Sequence, residues 1–174
     1  IIQNRYADTD WQMGQKEMDW FIEYVIEGGL QFINFEYYAN GYDGAGMRTL
    51  FEQTTNKRNL KAAYSVGQFG GSADKYNDPN DDYRKNIEHF TWAMGQSWYQ
   101  KIDGKPLMTM FKEPYDDPSD TYPQQKFKEA FALELGRIRS LYASKYGSGG
   151  IYEVYMLSGL STDYSFLESN SMDA

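Results

Sequence analysis

Two adjoining segments decide the fold of this chain: Asp10-Trp-Gln-Met-Gly-Gln-Lys-Glu-Met-Asp-Trp-Phe-Ile-Glu-Tyr-Val-Ile-Glu-Gly-Gly29 and Leu30-Gln-Phe-Ile-Asn-Phe-Glu-Tyr-Tyr38. The first has apolar residues at spacings of three and four, which predicts an amphipathic helix with Asp10 as N-cap and Gly28-Gly29 as the stop. The second is rich in aromatic and β-branched residues, and it predicts a buried strand. Together they predict one helix–strand unit.

The same order of helix and strand repeats along the chain. Further strands are predicted at Leu60–Val66, Leu107–Phe111 and Ile151–Leu157. Helices are predicted before each of these strands: at about 47–56, from about 81 to the junction Lys101-Ile-Asp-Gly-Lys-Pro106, and at about 124–145. The second of these helices is predicted to have Trp98 on its apolar face. Four helices alternating with four strands indicate one parallel α/β sheet, with right-handed crossovers and the helices outside.

The length of the chain fits two architectures. Its 174 residues suffice for one domain, so we expect residues 1–174 to form a single unit. A closed (β/α)8 TIM barrel takes about 250 residues. The expectation is therefore a segment of such a barrel with about four parallel strands, or an open doubly wound sheet of the flavodoxin type.

Composition excludes several functional classes. The net charge of −8 provides no basic surface for nucleic acid or anionic lipid. The chain has no cysteine, which excludes disulfides, thiolate catalysis and zinc–thiolate sites. No apolar run reaches the roughly 18 residues of a membrane span. The 16 tyrosines suit clefts that are apolar on one side and wet on the other, although tyrosine also replaces Phe or Leu at half-buried positions.

Candidate ligand-binding residues lie at the carboxyl ends of the predicted strands or just after them, because parallel α/β folds carry their functional groups there. They are Glu36, Tyr38, Asn40, Gln68, Lys112 and Glu113. Carboxylates and amides there can bind the hydroxyl groups of a ligand while an aromatic ring stacks on its apolar face. The competing interpretation gives Glu36 an ion-pair partner at the rim and gives Lys112 a surface salt bridge.

Alternation along the second segment assigns faces to its side chains. Ile33, Phe35 and Tyr37 are predicted to pack under the helices, while Phe32, Asn34 and Glu36 face the other side. Glu113, which follows the next-but-one predicted strand, is the candidate second carboxylate beside Glu36.

Other polar groups give weaker signals, and no metal or cofactor site is predicted. The acidic loop at 74–82 lacks the spacing of an EF-hand, so a solvated loop is favoured over a Ca²⁺ site. His89 is the single histidine and lies mid-helix, away from strand ends, which favours a structural or surface role. The run Gly67-Gln-Phe-Gly-Gly71 lacks the remaining residues of a phosphate-binding loop.

Three segments carry a resemblance: Asp10-Trp-Gln-Met-Gly-Gln15, Phe35-Glu-Tyr-Tyr-Ala-Asn-Gly41 and Tyr99-Gln-Lys-Ile-Asp-Gly-Lys-Pro-Leu107. The chain resembles the WbsX-type barrels classed as glycosyltransferases, which are similar to the endo-α-mannosidases of glycoside hydrolase family ninety-nine. Where those relatives carry a Trp-Ala-Asn-Glu-Asn-Trp-like run, this chain has Ala63-Tyr-Ser-Val-Gly-Gln-Phe-Gly70. No catalytic residue is therefore carried over.

The resemblance implies a (β/α)8 barrel that acts on glycans and is secreted, periplasmic or on the cell surface. The expected function is that of a glycoside hydrolase-like protein acting on a bacterial or host polysaccharide or oligosaccharide. The alternative is a non-catalytic glycan-binding or structural barrel domain of a surface protein. In either case, further domains of a longer chain are possible partners.

Overall fold

The computed structural model describes residues 14–37, 45–66, 82–112 and 124–157. Its four helices are α1 (Gln15–Glu27), α2 (Ala45–Gln53), α3 (Asp82–Met94) and α4 (Gln124–Tyr146). Its five strands are β1 (Phe32–Tyr37), β2 (Lys61–Val66), β3 (Lys101–Ile102), β4 (Lys105–Lys112) and β5 (Tyr152–Leu157). The two-residue strand β3 is the element that the sequence pattern did not predict.

The sheet follows the order of the chain. Strand β1 pairs with β2, β2 with β4 and β4 with β5, and all three pairings are parallel. The prediction of a parallel α/β sheet is confirmed for these four strands. Between β1 and β5 the described strands show no reversal of order.

A tight hairpin introduces β4. Strand β3 pairs antiparallel with the first residues of β4, and the turn between them is Asp103-Gly104. Both turn residues have left-handed backbone angles, φ 51° and 79°, as a two-residue type I′ turn requires. The Asp-Gly pair within the Lys101–Pro106 junction thus forms the tight turn that leads into β4.

The predicted extent of the preceding helix was wrong. Helix α3 ends at Met94, well before the Lys101–Pro106 junction. The amides of Gly95 and Gln96 donate to carbonyls three residues back, which tightens and closes the last turn. Trp98 therefore lies in the connection after α3, and Tyr99 forms a parallel bridge to Ala62 of β2.

Helix α1 begins later than predicted and ends where predicted. Its N-cap is Gly14 rather than Asp10, and the Glu17 carboxylate accepts a hydrogen bond of 3.0 Å from the Gly14 amide. At the other end, the Leu30 amide donates to the Val25 carbonyl and Gly29 has φ 80°. This is a Schellman termination, which Gly28-Gly29 makes possible.

The hydrophobic core lies on one face of the sheet. Phe35 and Tyr37 of β1 are buried there, together with alternate residues of the neighbouring strands: Ala62, Tyr64 and Val66 of β2, and Met108 and Met110 of β4. All four helices contribute to the same core cluster, with Met18, Ile22, Val25, Phe51, Ile87, Phe90, Ala93, Met94, Leu135, Ile138 and Tyr142. The predicted alternation along β1 is confirmed, because Asn34 and Glu36 are exposed between its buried residues. None of the helices described here has the length and apolar character to cross a membrane.

Candidate functional site

A row of polar side chains crosses the face of the sheet opposite the helices. Glu36 of β1 is in register with Ser65 of β2, and Ser65 is in register with Thr109 of β4. Residues in register on parallel strands point to the same side. Ser65 and Thr109 are only 1% and 7% exposed, whereas Glu36 is exposed. The row therefore has a buried floor and an accessible carboxylate at one end.

Asn34 spans the floor of this row. Its Nδ2 lies 2.6 Å from Ser65 Oγ and 3.0 Å from Thr109 Oγ1. The two hydroxyls are also hydrogen-bonded to each other, and Thr109 Oγ1 lies 3.5 Å from the Tyr64 carbonyl oxygen. One asparagine thus connects three strands, and its side chain remains exposed.

The predicted binding residues fall partly within the described chain. Glu36 is the second-to-last residue of β1, and Lys112 is the last residue of β4, paired through its backbone with Leu157. Both therefore belong to the carboxyl edge of the sheet. Tyr38, Asn40, Gln68 and Glu113 lie outside the described residues, as does the acidic loop before Asp82. The pairing of Glu36 with Glu113 stays a prediction.

Sequence reasoning placed Asn34 on this face but did not connect it to Ser65 and Thr109. A signal was present, because each of three successive predicted strands carries a small polar residue among apolar ones. The register between strands, which decides whether those residues meet, is not visible in the sequence.

A second polar cluster lies on the helix side of the sheet and was not predicted. Glu52 of α2 forms a hydrogen bond with the Tyr64 hydroxyl, and its other oxygen lies 2.9 Å from His89 Nε2. Arg48, one turn earlier on α2, places Nε 3.7 Å from Glu52. Its guanidinium carbon lies 4.2 Å from the centre of the Tyr37 ring. The charged groups are thus held against stacked aromatic rings in the core.

His89 is contacted at both ring nitrogens. The Tyr37 hydroxyl lies 2.6 Å from the Asn86 carbonyl oxygen, which can only accept, so Tyr37 donates there. The same hydroxyl oxygen lies 3.3 Å from His89 Nδ1, and His89 Nε2 lies 2.9 Å from a carboxylate oxygen of Glu52. This cluster joins α2 and α3 to the sheet, which fits the interpretation of His89 as structural.

The tyrosines of this cluster are held in their neutral form. Burial is the main reason that the pKa of the Tyr64 hydroxyl lies far above its usual value, and the negative charge of Glu52 adds to the shift. Burial likewise raises the pKa of Tyr99, whose oxygen accepts a hydrogen bond of 3.1 Å from the Tyr64 amide. Both hydroxyls therefore act as neutral hydrogen-bonding groups rather than as bases.

Glu134 on α4 is a separate buried carboxylate. Its side chain is 1% exposed, and burial raises its pKa to about 7 although Arg137 Nη1, 3.2 Å away, opposes the shift. Its Oε2 accepts no hydrogen bond from the described residues. Across the described part of the chain, no three His, Asp or Glu side chains lie close enough together to hold a metal ion.

Comparisons with protein-family models, with curated proteins and with solved structures find no match to this chain. The resemblance to WbsX-type barrels therefore rests on the three quoted segments. The polar row of Glu36, Asn34, Ser65 and Thr109 is therefore the candidate functional site.

Proposed function

We propose that the sheet is part of a (β/α)8 barrel and that the polar row lines its interior. Two features support this. The strands follow chain order, and one core cluster on a single face takes residues from all four helices. A doubly wound sheet instead reverses its strand order and carries helices on both faces. In a barrel, the face that the described helices leave uncovered would be the interior.

Exposed apolar side chains near β1 also support the barrel. Trp20 and Tyr24 on α1 are 56% and 62% exposed, with ring centres 6.4 Å apart. Leu30, two residues before β1, is exposed as well. Exposed apolar side chains that adjoin one another mark contact surfaces more often than single ones do. In a barrel, the βα unit next to β1 would cover them.

Within that barrel, the function we propose is that of a glycoside hydrolase-like protein acting on a polysaccharide or oligosaccharide. The observation that carries the proposal is Glu36, an exposed carboxylate at the carboxyl end of a parallel strand, on the polar face. A carboxylate accepts hydrogen bonds from sugar hydroxyls, and binding sites of barrels lie at this end. Tyr38, Asn40, Gln68, Lys112 and Glu113 complete the proposed site. The family resemblance adds the glycan as ligand and a secreted, periplasmic or cell-surface location.

A second candidate is a glycan-binding or structural domain without turnover. Among the described strand residues, Glu36 is the one carboxylate on the polar face, whereas hydrolysis uses two carboxylates on opposite sides of the bond. A binding site needs only one. This observation favours the binding domain over the hydrolase, unless a second carboxylate such as Glu113 lies beside Glu36.

A screen that measures binding and turnover together tests both candidates. The full-length protein is titrated with α-mannan and a panel of other polysaccharides, and released oligosaccharides are quantified in the same samples. Binding with product release supports the hydrolase, and binding without product supports the binding domain. Absence of binding at millimolar ligand refutes the hydrolase and the glycan-binding domain, and leaves the structural domain.

A further inference from the structure

We propose that Asn34 is a second ligand-binding residue and that, with Glu36, it forms a subsite selective for uncharged sugars. The inference rests on the proposed function, which it extends to the charge of the ligand. Asn34 Oδ1 would accept a hydrogen bond from one sugar hydroxyl, and the Glu36 carboxylate would accept one from another.

The orientation of the Asn34 amide follows from counting protons. Ser65 and Thr109 each have one hydroxyl proton, and one of the two is used in the hydrogen bond between them. If the Asn34 oxygen faced this pair, it would have to accept a hydrogen bond from both hydroxyls, but only one hydroxyl proton remains to be donated. With the nitrogen facing it, the two N–H groups donate to Ser65 Oγ at 2.6 Å and to Thr109 Oγ1 at 3.0 Å. The amide nitrogen therefore points to the floor.

The amide oxygen is consequently left as an acceptor. Its contact among the described residues is with Thr109 Oγ1 at 3.4 Å, longer than the roughly 2.5–3.0 Å of a good O–H···O bond. The Thr109 proton can also reach the Tyr64 carbonyl oxygen, at 3.5 Å. Asn34 Oδ1 therefore retains the capacity to accept a hydrogen bond from a ligand.

The amide is also held in place before any ligand arrives. Its two anchors belong to β2 and β4 and are buried, while the asparagine itself is exposed. A polar group fixed by buried partners loses little conformational entropy when it binds. Ser65 and Thr109 are thus positioning residues for Asn34.

The pair of acceptors determines the kind of ligand. Asn34 and Glu36 are two residues apart on the same face, so their backbones are separated by roughly 7 Å. Two acceptors, one of them negatively charged, bind hydroxyl donors and repel carboxylate, sulfate and phosphate groups. The structure therefore points to uncharged sugar units at this subsite, rather than uronic acids or phosphorylated sugars.

Binding measurements on the full-length protein test the inference. The first probe is α-mannan, or whichever neutral polysaccharide the screen identifies, with polygalacturonate as the anionic comparison. We expect Asn34→Ala to weaken neutral-glycan binding about tenfold, one lost hydrogen bond to a ligand. Asn56→Ala, an exposed asparagine in the α2–β2 connection, should leave binding unchanged. Thermal unfolding of each variant confirms that it is folded.

The outcomes separate this inference from the proposed function. Wild-type binding that Asn34→Ala leaves intact overturns the role of Asn34 while the proposed function stands. Equal binding of polygalacturonate and the neutral glycan overturns the selectivity. No binding by the wild type to any polysaccharide overturns the proposed function and, with it, this subsite.

The orientation of the amide has a test that needs no ligand. In protein labelled with ¹⁵N-asparagine, the side-chain amide protons of Asn34 should exchange with solvent more slowly than those of Asn56. Ser65→Ala should accelerate that exchange, because it removes one of the two acceptors. Exchange as fast as that of Asn56 in the wild type would show that the amide is not anchored, and would overturn the inference.

Discussion

The ring of Tyr146 lies directly against the backbone of Gly95. A methyl group built on Gly95 would be 2.1 Å from Cζ of Tyr146, far inside van der Waals contact. The Tyr146 hydroxyl also donates to the Trp92 carbonyl at 3.4 Å. The end of α4 is thus seated on the residue that follows α3, and only glycine leaves room for it.

Gly95→Ala should destabilise the protein by displacing this ring. Tyr146 is partly exposed and can move, so we expect a loss of about 1–2 kcal/mol in the free energy of unfolding. Denaturant unfolding measures it. In a Tyr146→Ala background the same substitution should be neutral or slightly stabilising, because alanine restricts the unfolded chain. An equal cost in both backgrounds would show that the ring is not the cause.

Glu134 should make stability fall as pH rises. Its pKa is about 7 in the folded protein against 4.5 for a free glutamate, so the folded state favours the protonated carboxyl. That advantage is complete below pH 4.5 and is lost as pH rises to about 7. It amounts to on the order of 3 kcal/mol.

Glu134→Gln removes this dependence. Between pH 4.5 and 7.5, the free energy of unfolding of the variant should rise relative to that of the wild type, as measured by chemical unfolding at each pH. Glu88→Gln is the control, since Glu88 is a surface carboxylate paired with Arg84 at 3.0 Å. A stability difference between Glu134→Gln and the wild type that does not change with pH would contradict the prediction.

Removing the charge of Glu52 should destabilise the cluster behind the sheet. Glu52→Gln weakens its contacts with Tyr64, His89 and Arg48, and loss of a largely buried charged partner costs about 2–4 kcal/mol. A double-mutant cycle with His89→Asn should show coupling of about 1 kcal/mol or more. Additive effects of the two substitutions would mean that the 2.9 Å contact contributes nothing to stability.

Glu36→Gln should affect ligand binding rather than stability. Glu36 is exposed and lies on the polar face, away from the core. We expect at least a tenfold loss of glycan binding or turnover in the full-length protein, about 1.4 kcal/mol, with nearly the same melting temperature. A large drop in melting temperature with intact activity would instead identify Glu36 as a structural ion-pair residue.

The sequence predicted those parts of the fold that local patterns determine. Alternation along Phe32–Tyr37 assigned the faces of β1, and Gly28-Gly29 located the end of α1. The end of α3 was missed because Trp98 continues the apolar spacing of the helix. In the structure, Trp98 lies after the helix and packs against Phe51 in the aromatic core, with ring centres 5.7 Å apart. Its apolar character thus reflects a tertiary contact and not a position on the helix.

The candidate site was predicted only in part, because most of its contacts join residues that are far apart in the sequence. Glu36 could be placed because strand ends carry function in parallel α/β folds. The contacts of Asn34 with Ser65 and Thr109 join residues 31 and 75 positions apart, and Glu52 and His89 are 37 apart. No local pattern encodes such contacts, since they depend on strand register and helix packing.

The chain-order arrangement of the strands has a consequence for folding. Each parallel strand pairs with the long strand before or after it in the chain, so every pairing closes over a single crossover: 29 positions separate Phe32 from Lys61, and 45 separate Leu107 from Tyr152. Closing such a crossover costs more loop entropy than closing a hairpin does, but less than pairing the two ends of the chain would. The sheet can therefore grow in one direction during synthesis, with β1 and β2 together before β4 and β5 leave the ribosome.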